Sequence, residues 1–210
     1  MKKTLLTLGL AACAWASHAS GLDALESFVK NAKSGRAEFT QAVTAPAKEG
    51  QSARTKNSSG TFEFVRPNRF RFNYKKPFEQ TIVADGQTLW LYDADLRQVT
   101  QRKQAQVLAQ TPAALIASAA DLATLRKDFN LEAAPDANGM QWVQATPRVK
   151  EGQLNYIKVG FRGNELAALE ILDGFGQKSV MTFSKMDTNA SVGPEVFNFK
   201  PPQNSDVIKQ

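Results

Sequence analysis

The chain has 210 residues, a formal net charge of +6, one histidine and one cysteine, and both of those, His18 and Cys13, lie in the first 19 residues. If that stretch is removed, the remainder holds no thiol and no imidazole. This excludes Cys and His nucleophiles, His general bases, Ser-His-Asp triads, structural disulfides and nearly every zinc or copper site. The chemistry left over favours binding a partner over transforming one.

Residues 1–19 read as an export signal: Met1-Lys2-Lys3 is a cationic start, Leu5 to Ala16 an apolar run, and Ser17-His18-Ala19 a small-x-small cleavage site. Cleavage after Ala19 leaves one domain, residues 20–210. A competing signal is Leu10-Ala11-Ala12-Cys13, which has the lipobox form and would make Cys13 an acylated N-terminus, but the apolar segment before it is short. No run beyond the signal approaches the roughly 20 apolar residues of a spanning helix. Lys2 and Lys3 leave with the signal, and the remaining positive excess is spread out. Its densest stretch, Arg66 to Arg71 with Lys75 and Lys76, places Arg69 and Arg71 on one strand face, which reads as a solvated outer surface. No recognition helix for nucleic acid is visible, whereas weak attraction to an anionic membrane surface or an acidic protein stays open.

After Ala19 comes an amphipathic helix. Ser20 and Asp23 have the spacing of a capping box, Leu22, Leu25, Phe28, Val29 and Ala32 recur at helical intervals, and Ser34-Gly35 ends it. The period then becomes two: Ala37, Phe39, Gln41 and Val43 alternate with Glu38, Thr40 and Ala42, and a polar loop runs from Ala45 to Ser59. Phe62 and Phe64, then Phe70, Phe72 and Tyr74, continue the alternation on either side of Pro67-Asn68. Gln80 to Ala84, the Asp85-Gly86 turn, Leu89 to Tyr92 and Arg97 to Arg102 complete an antiparallel meander.

The pattern breaks from Gln104 to Lys127. Thr111-Pro112 has the form of an N-cap followed by proline at the first helical position, Leu115 and Ile116 lie in an alanine-rich helix, and Asp121 caps a further turn through Leu122 and Leu125. Strands resume over Phe129–Ala133, Met140–Ala145, Leu154–Phe161, Leu166–Leu172 and Lys178–Lys185, with a last piece at Val196–Phe199 stopped by Pro201-Pro202. The sum is a mainly β, single-domain fold of ten or eleven antiparallel strands, with an N-terminal helix and a helical insertion. So many strands must curl into a barrel or half-barrel to hide their edges. The candidate concave face carries Phe62, Phe64, Phe70, Phe72, Tyr74, Trp90 and Tyr92. Periodicity leaves open whether this face fills its own interior or holds an apolar ligand.

Several segments together resemble the LolA family of periplasmic lipoprotein carriers. They are Phe39-Thr40-Gln41, Arg66-Pro67-Asn68-Arg69-Phe70, Asp85-Gly86-Gln87-Thr88-Leu89-Trp90-Leu91-Tyr92, Thr111-Pro112 with Leu115-Ile116-Ala117, and the closing Phe197-Asn198-Phe199-Lys200-Pro201-Pro202. The resemblance implies an unclosed β-barrel with a helical lid over a hydrophobic cavity, no cofactor or metal, no catalysis, and a monomeric state. Its cargo would be outer-membrane-destined lipoproteins, released from the inner membrane by an ABC transporter of the LolCDE type and passed to the outer-membrane receptor LolB. It makes Arg66 the lid latch, Thr111 and Pro112 the lid start, and Phe39, Phe62, Phe64, Phe70, Phe72, Trp90, Tyr92, Leu115 and Ile116 the acyl-chain cavity. Ala113 stands where a bulkier residue is familiar and Phe72 where tryptophan often occurs. The tail from Lys200 to Gln210 leaves little room for the extra C-terminal element of some members.

Three other readings stay open. A LolB-like acceptor anchored through Cys13 would share the fold and is separated by the mass of the mature N-terminus. A lipid-binding envelope sensor would bind without transferring. A hydrolase would need paired carboxylates, and Asp93 with Asp95, or Glu165 with Glu170, are the nearest pairs.

Overall fold

A computed structural model describes residues 20–47, 50–107, 114–118, 121–149 and 154–210. The signal segment, with Cys13 and His18, and the lid start at Thr111 and Pro112 lie outside the described residues. Helix α1 (Gly21–Asn31) begins as its sequence predicts. The Ser20 backbone N–H donates to the Asp23 carboxylate at 2.9 Å, and the Ser20 hydroxyl accepts from the Asp23 N–H. Donation from the Ser20 backbone N–H, and next from its hydroxyl at 2.8 Å, holds the Asp23 carboxyl below its ordinary range.

Among the described residues twelve strands follow: β1 (Ser34–Thr44), β2 (Thr55–Val65), β3 (Arg69–Lys76), β4 (Gln80–Asp85), β5 (Thr88–Asp93), β6 (Gln98–Lys103), β7 (Phe129–Ala137), β8 (Met140–Pro147), β9 (Leu154–Arg162), β10 (Glu165–Asp173), β11 (Lys178–Thr188) and β12 (Asp206–Lys209). Between β6 and β7 lie α2 (Gln104–Val107), a π-helical turn (Ala114–Ser118) and α3 (Leu122–Asp128). One sheet contains every strand, in the order β12-β6-β5-β4-β3-β2-β1-β11-β10-β9-β8-β7. All pairings are antiparallel except β12 with β6, and β7 and β12 are the two ends.

The sheet bends around an aromatic interior. Cross-strand register sets Ala37, Phe62, Phe72, Ile82 and Leu91 in one row, and Gly35, Phe64, Phe70, Ala84 and Leu89 in another. The Phe28 ring of α1 touches Phe64 of β2 and Phe161 of β9, with centroids 6.0 and 5.8 Å away. Those strands are four places apart and would be separated by roughly 19 Å in a flat sheet. One phenyl ring reaches both because the sheet curls around the helix.

Gly60 marks one point of curvature. The β2–β3 register shifts between Ser59 and Gly60, a bulge that sharpens the bend. A Cβ at Gly60 would lie 2.1 Å from the Asn73 carbonyl oxygen. Gly60 also sits between Phe39 and Tyr74 in register, and without an intervening side chain those rings meet edge to face at 5.0 Å.

Three expectations need correction. The polar segment before Ser59 is ladder from Thr55 onward, because Thr55 to Ser58 pair with Gln41 to Thr44 whatever their side chains. The piece at Val196–Phe199 is not a strand. Pro194 opens a 3₁₀ turn (Pro194–Phe197) laid across the outer face, and its apolar residues are spaced for packing on a sheet. The short tail does hold a further element, β12, beside β6.

Arg69 and Arg71 are likewise more than solvated. Arg69 lies over the Phe197 ring at 5.7 Å, and Arg71 donates to the Val196 carbonyl at 3.1 Å. They fasten the C-terminal segment over buried Val83 and Val99.

Gly60→Val forces the bulge apart and separates Phe39 from Tyr74. The expected cost is about 1–3 kcal/mol, seen as a fall of several degrees in the thermal midpoint by circular dichroism. An unchanged midpoint would contradict the close approach at Gly60.

Candidate functional site: an apolar cavity on the concave face of the sheet

The interior is filled at one end and open at the other. Toward the Arg66–Asn68 turn, Phe28, Phe62 and Phe64 pack with α1 and the π-helical turn, whose Leu115, Ile116 and Ala117 are fully buried. Phe62 stacks on Phe72 at 4.4 Å and reaches Phe183 at 5.6 Å. Toward the opposite rim the sheet encloses a cavity of about 240 Å³, lined by Phe70, Phe72, Tyr74, Ile82, Leu89, Leu91, Leu169, Ile171, Met181 and Gln41. Burial pushes the Tyr74 phenol up to about 12, so it stays neutral. The polar intruder, Gln41, has its amide taken up: its N–H donates to Ser179 at 2.6 Å and its oxygen accepts from Ser58 at 3.3 Å.

The residues singled out in the sequence divide accordingly. Phe70 and Phe72 line the cavity, while Phe39, Phe62, Phe64, Leu115 and Ile116 belong to the packed core beside it. Trp90 and Tyr92 are on the other side of the sheet. In register Trp90 lies opposite Val83, on the face of Arg71, and both aromatics pack on Phe199, at 5.6 and 6.2 Å. Their neighbours Leu89 and Leu91 face the cavity instead. Alternation in Leu89-Trp90-Leu91-Tyr92 is apolar on both faces because the C-terminal segment covers the outer one. Only knowledge of that cover identifies the inner pair.

Arg66 stands where the helical insertion meets the barrel. Its guanidinium lies 5.3 Å from the Phe28 centroid and 5.5 Å from that of Phe64, and its Nε donates to the Ala32 carbonyl at 2.7 Å. Burial lowers its pKa to about 10, so the charge persists at neutral pH. That bond ties the turn to the end of α1. Two residues later, the Asn68 N–H donates to the Ala117 carbonyl of the insertion at 3.0 Å.

Gln104 was not legible as a structural residue, since it sits in a polar run with nothing to distinguish it. It is 2% exposed. Its side chain donates to the Asn68 carbonyl at 2.7 Å and accepts from the Gly86 N–H at 2.9 Å, joining two turns at the root of the insertion. The carboxylate pairs have local duties. Asp93 accepts from the Leu96 N–H at 3.0 Å, and Glu170 pairs with Lys178 at 2.8 Å and accepts from the Tyr156 hydroxyl at 3.0 Å. Among the described residues no group of His, Cys, Asp and Glu could hold a metal ion, and no helix is long and apolar enough to cross a membrane.

Comparison with known proteins places this architecture. Residues 30–200 match the family described as outer membrane lipoprotein carrier protein LolA. An outer-membrane lipoprotein carrier protein of Albidiferax ferrireducens is 60% identical over 99% of this chain and 100% of its own length. One from Methylibium petroleiphilum is 54% identical over 96% of this chain and 95% of its own length. Among solved structures, a LolA superfamily protein from Nitrosomonas europaea aligns with a TM-score of 0.47 at 12% identity, covering 87% of this chain and 99% of that one. With its family match extending from α1 to the segment covering the outer face, this chain belongs to the LolA family of outer-membrane lipoprotein carriers.

Proposed function

We propose that this protein is a periplasmic carrier that shields the acyl chains of lipoproteins in the apolar cavity on the concave face of its sheet. In this reading the signal is cleaved after Ala19. Cargo comes from an ABC transporter of the LolCDE type in the inner membrane and goes to LolB at the outer membrane. The observation that supports the reading most is an apolar cavity on the concave face of the sheet, lined by strand residues, beside a packed core that includes the buried π-helical turn.

Burying a methylene is worth about 0.8 kcal/mol, so exposing an acyl chain of about 16 carbons to water costs roughly 10 kcal/mol or more. Lipoproteins therefore need a vessel between membranes. The cavity of about 240 Å³ is smaller than the roughly 300–1,000 Å³ of typical ligand pockets. Loading thus requires the interior to enlarge, and the part that can leave it without breaking a strand ladder is the insertion, which fills the core beside the cavity and is joined to the Arg66–Asn68 turn by the Asn68–Ala117 bond. In the empty state Leu115, Ile116 and Ala117 occupy apolar surroundings that acyl chains take over on loading. Closure and cargo then compete for the same burial, which lets a carrier accept and also release. Arg66 acts as the latch by fixing the turn on which the insertion closes, with a charge that neutral pH does not remove.

The test is release of a labelled lipoprotein from proteoliposomes carrying the transporter. A soluble one-to-one complex that delivers its cargo to outer membrane supports the reading, and no release with a competent transporter overturns it. Phe70→Glu places a carboxylate in the cavity wall at a cost of several kcal/mol, so complex formation in that assay should fall at least tenfold, about 1.4 kcal/mol or more. Undiminished loading would mean Phe70 does not meet cargo. Arg66→Leu should leave loading intact and slow delivery to the receptor, because the open, loaded form loses its competitor. Normal delivery by that variant would remove the latch role.

A further inference from the structure

The exposed apolar side chains are gathered at one end of the molecule. Antiparallel pairing places the β3–β4, β5–β6, β8–β9 and β10–β11 connections on the rim farthest from the Arg66–Asn68 turn. Phe78 (67% exposed), Leu96 (68%) and Phe175 (72%) are each at the tip of one of these four connections, and Val149 (68%) lies two residues after the end of β8. The other exposed large apolar residues, among the described ones, are Val207 and Ile208 of edge strand β12. Single exposed apolar residues are ordinary; four on one rim, with none in the turns of the opposite rim, are a pattern.

Each tip has an exposed cation close by in sequence. Lys75 and Lys76 precede Phe78, Arg97 follows Leu96, Arg148 precedes Val149 and Lys178 lies three residues after Phe175. Glu79 and Asp95 are the exposed acidic neighbours. The nearby Asp93 and Asp173 are partly buried and accept backbone N–H bonds within their own turns. The β1–β2 connection shares this rim, between the β3–β4 and β10–β11 connections, and carries no exposed large apolar residue among those described; adjacent connections thus recur every two strands, about 10 Å. Such spaced tips with polar intervals lack the continuous apolar centre of a protein–protein interface. They suit shallow insertion between lipid headgroups, with the cations on anionic phosphates.

We propose that this rim is a transient docking surface for an anionic lipid bilayer, which sets the rim nearest the cavity against the membrane. Phe78, Leu96 and Phe175 enter the headgroup layer, and Lys75, Lys76 and Arg97 contact lipid phosphates, while Lys178 stays paired with Glu170 at 2.8 Å. Of the cavity lining, Gln41, Tyr74, Ile82, Leu91, Ile171 and Met181 lie within three residues of the strand ends on this rim.

The test uses the mature full chain, without lipoprotein or transporter, so its outcome is independent of the carrier reading. Co-sedimentation is measured with vesicles of phosphatidylethanolamine and phosphatidylglycerol, and with vesicles of phosphatidylcholine alone. The expected result is binding to the anionic vesicles that weakens with salt. The triple variant Phe78→Ser, Leu96→Ser, Phe175→Ser should lose it at least about tenfold with an unchanged thermal midpoint. Should the triple variant unfold, Phe175→Trp alone reports insertion by a blue shift of its emission on vesicle addition. No binding by the native chain, equal binding by a folded triple variant, or an unshifted tryptophan would overturn the proposal.

Discussion

Every feature of this molecule follows from placing a band of phenylalanines on one face of a sheet that is never closed. Phe62, Phe64, Phe70 and Phe72 share that face with Phe39 and Phe183, and water must be excluded from all of them. A closed barrel of this length would leave a lumen, whereas a flat sheet would expose the band. The chain curls its sheet about α1, so that Phe28 touches both halves, and covers the remainder with a short helical insertion. The described turns of that cover belong to no strand ladder.

The two faces of the sheet carry different work. The concave face has a packed end and a cavity end, and the cavity is bounded by aliphatic and aromatic groups with Gln41 held by two serines. The convex face would be an ordinary wet surface but for the C-terminal segment. There Phe197 and Phe199 meet Arg69, Trp90 and Tyr92, and β12 then covers the edge of β6. This arrangement blunts one sheet edge and stiffens strands β3 to β5, which form the cavity wall. The clamp at Gln104 couples the same wall to the insertion, since it holds the turns before β3 and after β4 together.

Much of this was legible in the sequence. Alternation located the strands from Ala37 to Phe183, the Ser20–Asp23 spacing located the start of α1, and the conjunction of Arg-Pro-Asn, Asp-Gly and the alanine-rich insertion pointed to the family. What was not legible had physical causes. Leu89 to Tyr92 is apolar on both faces, so period two could not say which pair looks inward, and aromatic size suggested the wrong pair. Asp206-Val207-Ile208-Lys209 is too short to announce itself as a strand and forms one only because the edge of β6 is available. Arg69 and Arg71 read as solvated because their cover arrives more than a hundred residues later in the chain. The contribution of Gln104 depends on two turns that sequence distance separates.

The central claim is that cargo occupies the cavity face of the β4–β5 wall, and site-specific photocrosslinking tests it most directly. A photoreactive residue is placed at Leu91, and separately at Trp90, in the mature chain loaded with a lipoprotein bearing labelled acyl chains. The account predicts a labelled adduct from position 91 and none from position 90, whose side chain faces Phe199 on the outside. Adducts from position 90, or none from position 91 in a loaded complex, would contradict it.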